Sequence, residues 1–216
     1  MSNSRGTLFV ISAASGSGKS SLVDAVMKRI PGTERVVTCT TRTPRGAERD
    51  GVDYHFLTVA EFERRIGTGD FLEYARVHGD RLYGTSMSAI APLLERGVDL
   101  FLVIDVQGAE SVRQRMPESV SVFVLPPSAA ELEIRLRRRC AEENHNDETD
   151  VAVRLETARA EVRRFPEFQY VVVNDDFETA VDELSSIVVA ERNRVVRQRS
   201  RLLDILKTFG VESLHA

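Results

Sequence analysis

The chain is poor in residues that would staple it, ligate a metal or anchor it in a membrane. It has two cysteines in 216 residues, Cys39 and Cys140, with no CxxC pair, and none of its four histidines lies at metal-ligand spacing from either. A disulfide framework and a zinc site are therefore excluded as organising principles, and the cysteines read as reduced thiols of a cytoplasmic protein. No apolar run approaches the length of a bilayer span, and Met1 to Arg5 lacks the charged-then-apolar pattern of a secretion signal. A membrane partner is not expected. Charge of one sign is also missing: a formal net charge of -4 gives no global attraction to nucleic acid. There is no repeat at solenoid or propeller spacing.

What is present suits a packed α/β unit. Hydrophobic residues make up 42% and charged residues 29% of the sequence, enough apolar material for a core under a charged surface. The run Thr7-Leu-Phe-Val-Ile-Ser12 reads as a buried parallel strand. After it, Leu22, Val23, Val26 and Ile30 recur at helical spacing until Pro31-Gly32 stops the pattern. Similar runs at Leu100 to Ile104, Val120 to Leu125 and Tyr170 to Val173 each precede a helix-like segment. That alternation predicts a mostly parallel sheet with helices on both faces.

Two stretches break the rhythm. Residues from about 36 to 85 are polar, glycine-dotted and β-prone, with a short helix announced by the capping box Thr58-Val-Ala-Glu61. They are expected to form an inserted substrate domain between core segments 1–35 and 86–216. A second capping-box spacing, Ser128-Ala-Ala-Glu131, starts a helix that runs through the arginines near 137. The sequence between Arg139 and Val151 is too polar to pack and is flanked by arginine-bearing helices, so a mobile lid is expected at about 137–155. The tail from Arg192 to Arg201 is basic and reads as a solvated helix face.

Between the first strand and its helix stands Ala13-Ala14-Ser15-Gly16-Ser17-Gly18-Lys19-Ser20, the Walker A spacing with Ala13 in place of the first glycine. Gly16 and Gly18 let successive N–H groups converge on phosphate oxygens, and the following helix adds its positive end. Lys19 supplies a point charge to the terminal phosphates, and the Ser20 hydroxyl suits Mg²⁺. Ser21 follows in the first turn. The loop predicts binding of a nucleoside triphosphate with Mg²⁺; the reaction must come from elsewhere.

Downstream lie Thr38-Cys-Thr-Thr-Arg-Thr-Pro-Arg45, Gly51-Val-Asp-Tyr54 and Tyr83-Gly-Thr85. Arginine forks and phenolic hydroxyls in one polar insert could clamp a phosphate monoester. Tyr54 could equally be a core aromatic, and the run Arg135, Arg137, Arg138, Arg139 a charged helix face. Thr40 to Phe56 fills every specified position of TTRxPRxxExxGxDYxF, the signature of the guanylate kinase family, which the chain resembles. The resemblance extends through Phe71-Leu-Glu-Tyr-Ala75, Ile104-Asp-Val-Gln-Gly108, Leu125-Pro-Pro-Ser128, Leu136-Arg-Arg-Arg139 and Val173-Asn-Asp-Asp176.

The resemblance implies a P-loop NTPase fold with a GMP-binding insert and a lid, and ATP-dependent conversion of GMP, with dGMP as a second acceptor, to the diphosphate. It implies that Arg42, Arg45, Tyr54 and Tyr83 hold the GMP phosphate and that Thr38, Glu73, Thr85 and Asp105 read guanine. Guanine presents N1–H and a 2-amino group as donors, so carboxylates favour it over adenine. It further implies that Lys19, Arg42, Arg137 and Arg154, with Arg139, stabilise the transferring group, and that Asn174 lies near adenine. GMP and ATP are then the partners, with no nucleic acid, in a monomer or homo-oligomer. Three positions depart from the family pattern: Ala13-Ala14 at the loop entrance, one extra residue between Gly79 and Tyr83, and Val103 where an aspartate is common. Two other readings compete, a kinase for another nucleoside monophosphate and a non-catalytic phosphopeptide-binding module of the same fold.

Overall fold

The computed structural model describes residues 5–77, 80–142 and 148–211. The first strand, β1 (Leu8–Ala13), is buried along its whole length and leads through the glycine loop into α1 (Lys19–Arg29). Then come β2 (Thr33–Arg35), β3 (Cys39–Thr40), β4 (His55–Phe56), α2 (Val59–Gly67), β5 (Phe71–Val77), β6 (Arg81–Ser86) and α3 (Met87–Glu95). The second half runs β7 (Asp99–Val103), α4 (Val106–Arg115), β8 (Val120–Leu125), α5 (Ala129–Glu142), α6 (Glu148–Val162), β9 (Tyr170–Val173), α7 (Phe177–Arg192) and α8 (Val195–Thr208).

Five strands form a parallel sheet in the order β2-β7-β1-β8-β9. Because side chains alternate along each strand, the two faces have separate cores. Phe9, Ile11, Phe101, Val122 and Val124 pack with Leu22, Val23 and Val26 of α1 and with Val181, Leu184 and Val188 of α7. Leu8, Val10, Leu100, Leu102 and Phe123 pack on the opposite face with Ile90 and Leu94 of α3 and Val106, Ala109 and Val112 of α4. The expected helices on both faces are thus observed, each placed by the period-two pattern of the strands.

A second sheet, β4-β3-β6-β5, is built wholly from residues 39–86 and has its own small core of Cys39, Phe62, Phe71 and Leu82. Phe62 of α2 stacks on Phe71 of β5 with ring centroids 4.2 Å apart. Burial pushes the Cys39 thiol up to about 11, so it behaves as a packing group; both cysteines are free and buried. A third cluster joins Ala14 of the glycine loop to Leu132 and Leu136 of α5 and Ala158 of α6. Among the described residues, no helix is long and apolar enough to cross a membrane.

Both capping-box spacings mark real helix starts, but only half of each box forms. Thr58 accepts from Glu61 N at 3.2 Å and Ser128 from Glu131 N at 3.1 Å. The glutamates do not reach back: Glu61 pairs with Arg64 and Arg65, and Glu131 with Arg135. Charge-assisted pairing one turn along outcompetes the neutral backbone donor. The polar stretch from Arg139 to Val151 is helical at both ends, through Glu142 and from Glu148, while residues 143–147 of the expected lid lie outside the described residues.

Phe62 is fully buried in a core of only a few side chains. Phe62→Ala should therefore cost about 3–5 kcal/mol locally. Hydrogen exchange should show amides of residues 39–86 losing protection well before those of β1 and β8. Equal loss in both sheets would mean that the small core is not an independent stabilising unit.

Candidate active site

The glycine loop curls because two residues take positive φ, Gly16 at 86° and Gly18 at 84°. At Gly18 there is also no space: a Cβ would stand 2.5 Å from Asn174 Nδ2. That amide donates to Ser17 O at 2.8 Å, and Asn174 is itself fixed by its backbone N–H on Leu125 O at 2.8 Å. The end of β8 and the start of the segment after β9 thus hold the loop from the side. No side chain caps α1 at Gly18, so its first N–H groups face the loop mouth. Gly16, Gly18, Lys19, Ser20 and Ser21 line a cavity of about 390 Å³ together with Arg135 and Arg138. Ala13 is buried at the end of β1, Ala14 is buried against α5 and α6, and Ser15 is half-buried.

The neighbouring strand carries the second pocket. Ile104 N donates to Ile11 O at 3.2 Å, so the chain leaving β7 starts beside the chain leaving β1. A cavity of about 310 Å³ opens there, lined by Thr38, Tyr54, Glu73, Tyr83 and Asp105 among others. Residues far apart in sequence meet because β5 and β6 pair antiparallel, with Glu73 opposite Thr85 and Ala75 opposite Tyr83. This register places Tyr83 in the cavity lining despite the extra residue before it, whereas Thr85 is fully buried behind Glu73 and does not line the cavity. Thr85 Oγ1 donates to Glu73 Oε1 at 2.7 Å. Burial pushes the Glu73 carboxyl above its ordinary range; the Thr85 hydroxyl pulls the other way and the Asp105 charge adds to the rise. Asp105 is also the N-cap of α4: Oδ1 accepts from Gln107 N at 2.9 Å and Gly108 N at 2.8 Å. Its second oxygen is left for the pocket.

At the outer end of this pocket, Arg42 is buried and held as a fork by Glu48, with NH1–Oε2 at 2.9 Å and NH2–Oε1 at 2.8 Å. Its guanidinium carbon lies 5.2 Å from the Tyr54 ring centroid, and Tyr54 meets Tyr83 edge-on at 6.1 Å. The Glu48 pair raises the Arg42 pKa and lowers that of Glu48, so both stay charged. Arg45 is exposed and does not line the cavity; its backbone N–H is bonded to the same Glu48 at 2.8 Å.

The helical arginines separate by direction. Arg135 bonds Glu131 and the carbonyl of Asn174, and with Arg138 it lines the loop cavity. Arg137 is exposed on another side of α5 and pairs with Glu133 at 2.9 Å. Arg154 is half-buried on α6; the side chain of Arg139 lies outside the described residues. Sequence reasoning assigned no role to Glu161 of α6, whose Oε2 accepts from Ser15 N at 3.2 Å across 146 positions of sequence. Burial raises its pKa and the charge of Lys19 lowers it. Glu48 was legible as the glutamate of the TTRxPRxxE run; Glu161 had no local signal.

A parallel sheet with a glycine loop after its central strand, and a polar pocket on the adjacent strand end, defines a P-loop protein built to face two ligands. The sequence comparisons narrow the class. Residues 5–191 match the family model described as guanylate kinase. A guanylate kinase of Vibrio parahaemolyticus is 45% identical over 210 residues, 96% of this chain and 99% of that protein. One from Chromohalobacter salexigens is 44% identical over 203 residues, covering 94% and 92% of the two chains. The crystal structure of guanylate kinase from Anaplasma phagocytophilum superposes with a TM-score of 0.72 at 30% identity, covering 99% of this chain and 100% of that one. The chain belongs to the guanylate kinase family, and with it to the nucleoside monophosphate kinases.

The buried Glu73 has a stability consequence. The unfolded chain releases this proton at the ordinary carboxylate value, the folded chain only at a higher one. Between the two the folded state binds more protons, so stability falls as pH rises through that window, and the loss is complete above the folded value. Glu73→Gln keeps an acceptor for Thr85 but cannot ionise. Its melting temperature should exceed that of the wild type at neutral pH, and the gap should close below about pH 4. A gap that is constant with pH would show that the carboxyl is not strained in the fold.

Proposed function

We propose that the chain binds ATP in the glycine-loop cavity and GMP in the pocket between β5, β6 and α4, and transfers the terminal phosphoryl group from one to the other. The observation that carries this reading is the convergence of Thr38, Tyr54, Glu73, Tyr83 and Asp105 in one pocket beside the end of β1. In this reading residues 36–85 are the acceptor domain, residues 1–35 and 86–216 the core, and about 137–155 the lid, in a cytoplasmic enzyme of purine nucleotide metabolism.

Guanine would offer N1–H and its 2-amino group to Glu73 and to the second oxygen of Asp105, with Thr38 at the edge and Thr85 acting through Glu73. Thr85 spends its hydroxyl hydrogen on Glu73, which orients the carboxylate without neutralising it. The GMP phosphate would meet Arg42, Arg45, Tyr54 and Tyr83. Arg42 arrives preorganised, because Glu48 fixes its plane and burial restricts its rotamers. An anionic phosphate oxygen of GMP then attacks the γ-phosphorus of ATP. As that P–O bond forms, the bond from γ-phosphorus to the β,γ-bridging oxygen breaks and ADP leaves. The attacking oxygen carries no proton to remove, so no general base is needed, and catalysis is positioning plus charge stabilisation.

Lys19, the loop N–H groups and Arg154 are the assigned stabilising groups; Arg137, assigned with them, is exposed on another side of α5 from Arg135 and Arg138, which line the cavity, and Asn174 braces the loop beside the adenine end. Mg²⁺ fits the donor set: it takes oxygen ligands and keeps several waters, and the exposed Ser20 hydroxyl stands in the cavity where ATP phosphates would supply the rest. When bound, the ion offsets phosphate charge.

Two measurements test the reading. Lys19→Ala should abolish transfer to GMP while leaving the circular dichroism spectrum and melting curve intact; normal turnover would remove the loop from the reaction. Glu73→Gln should lower kcat/KM for GMP by about 1.5–3 kcal/mol, the range for a charge-assisted hydrogen bond, and leave AMP turnover unchanged or slightly higher. An unaltered GMP-to-AMP ratio would mean that guanine is read by other groups.

A further inference from the structure

A cavity of about 690 Å³ lies at neither of these sites. Leu8 and Val120, the first residues of β1 and β8, form part of its wall, so it opens at the amino edge of the sheet, opposite the glycine loop. Its other wall is the start of α8, the basic tail that the phosphoryl-transfer chemistry does not use. Arg5, Arg194, Arg197 and Arg199 line it.

Three independent features give this cavity the character of an anion site. The first is charge. Four arginines face it against two carboxylates, Glu118 in the wall and Glu191 behind it, in a chain whose net charge is -4. Positive potential here is therefore local concentration, not a property of the whole surface. The second is the α8 N-terminus: Arg194 at the N-cap supplies no side-chain acceptor, and Val196 and Arg197 of the first turn line the cavity. The first N–H groups of a helix lack intrahelical acceptors and carry its positive end. The third is unsatisfied polarity. Ser119, only 4% exposed, lines the cavity, and its hydroxyl is buried without a partner; Arg197 Nε, also buried, has none. Such groups are uncommon in native proteins and mark places where a polar ligand or water belongs.

Arg197 is the fixed element. Its guanidinium bonds Thr7 Oγ1 and lies 3.6 Å from Glu191, which also accepts from Tyr170 Oη at 2.8 Å. Arg5 and Arg194 are more exposed: Arg5 lies 3.6 Å from Glu118, and Arg194 lies 3.4 Å from Glu191. The Arg5–Glu118 pair is exposed on both sides and therefore weak, and the buried Glu191 keeps Arg197 and Tyr170 as partners when the exposed Arg194 turns to another acceptor. A phosphate presents several anionic oxygens to arginine forks at once, which a single carboxylate cannot match.

We propose that this cavity is a second anion site that takes a pyrophosphate-bearing ligand, the chemical class shared by inorganic pyrophosphate and nucleoside polyphosphates. Its volume falls in the range of small-molecule sites and exceeds what a single phosphate needs.

The test is a residue-resolved NMR titration of the full chain with inorganic pyrophosphate and, separately, with ATP. Pyrophosphate also enters the glycine loop, so the two sites are followed by their own amides: Gly16 to Ser21 for the loop, and Ser119 with Val195 to Arg197 for the cavity. Saturating shifts at the second set are expected with pyrophosphate. Saturation with ATP as well identifies a nucleotide site, and saturation with pyrophosphate alone identifies a site for the bare anion. The double substitution Arg5→Gln/Arg194→Gln should weaken binding at that set by about tenfold or more and leave the loop titration unchanged. Ser119→Ala, which removes only the buried hydroxyl, should weaken it with the fold intact. The proposal is overturned if the second set does not shift, if its shifts fail to saturate, if sodium chloride at matched ionic strength reproduces them, or if they survive both substitutions. Because the loop amides report separately, failure here leaves the phosphoryl-transfer reading untouched.

Discussion

The left-handed turn at Gly18 is the constraint on which the glycine-loop cavity, the proposed donor site, depends. At φ 84° it directs the chain from the loop into α1, and the side-chain amide of Asn174 occupies the space where a Cβ would stand. The turn is fixed from three directions. Asn174 holds Ser17 O, Glu161 holds Ser15 N, and Leu132, Leu136 and Ala158 pack on Ala14. The loop has alanines where the family usually places a proline at the entrance. Here the restriction of backbone freedom comes from tertiary contacts with α5, α6 and the segment after β9, not from a pyrrolidine ring.

Binding at the proposed acceptor pocket would be set against stability. A buried carboxylate with a raised pKa is a cost to the fold, and Glu73 sits near a second carboxylate, Asp105. The α4 N-terminus moderates that cost, because Asp105 accepts two of its amides and its charge faces the positive end of the helix. One residue thereby caps a helix and presents an oxygen to the pocket. Removing it would lose both contributions together, which makes Asp105 a poorer probe of specificity than Glu73.

The fold was largely legible in the sequence because its signals are local. Periodicity marked β1, β8, β9 and α1 to within a residue or two, and the glycine spacing located the loop. The TTRxPRxxExxGxDYxF run was legible because Arg42, Glu48 and Tyr54 lie within a short stretch between the paired strands β3 and β4 and meet through its turns. What stayed hidden depends on contacts across the fold. Nothing near Glu161 indicates that it reaches Ser15, and the α5 arginines carry no mark of which face the cavity. Helix geometry supplies it: with α5 anchored through Leu132 and Leu136, Arg135 and Arg138 line the loop cavity and Arg137 points elsewhere. The capping-box spacings located both helix starts, but the sequence does not show the arginines that compete for the glutamates.

The two proposed subsites also carry opposite charge, which orients the acceptor before any contact forms. The proposed guanine end of the pocket holds Glu73 and Asp105, while Arg42 lies behind Tyr54 of the same pocket, and the proposed donor cavity holds Lys19, Arg135 and Arg138. A nucleoside monophosphate is neutral at its base and doubly charged at its phosphate. Entering phosphate-first toward the carboxylates would set like charges together in a partly desolvated cleft, where the effective dielectric is well below that of water. The reverse orientation puts donors of the base on the carboxylates and the phosphate among cations. Charge therefore excludes the backward pose, and hydrogen bonding selects among bases in the pose that remains. This division explains why a single pocket can hold carboxylates and bind a dianion: the carboxylates are confined to the end the dianion must not enter.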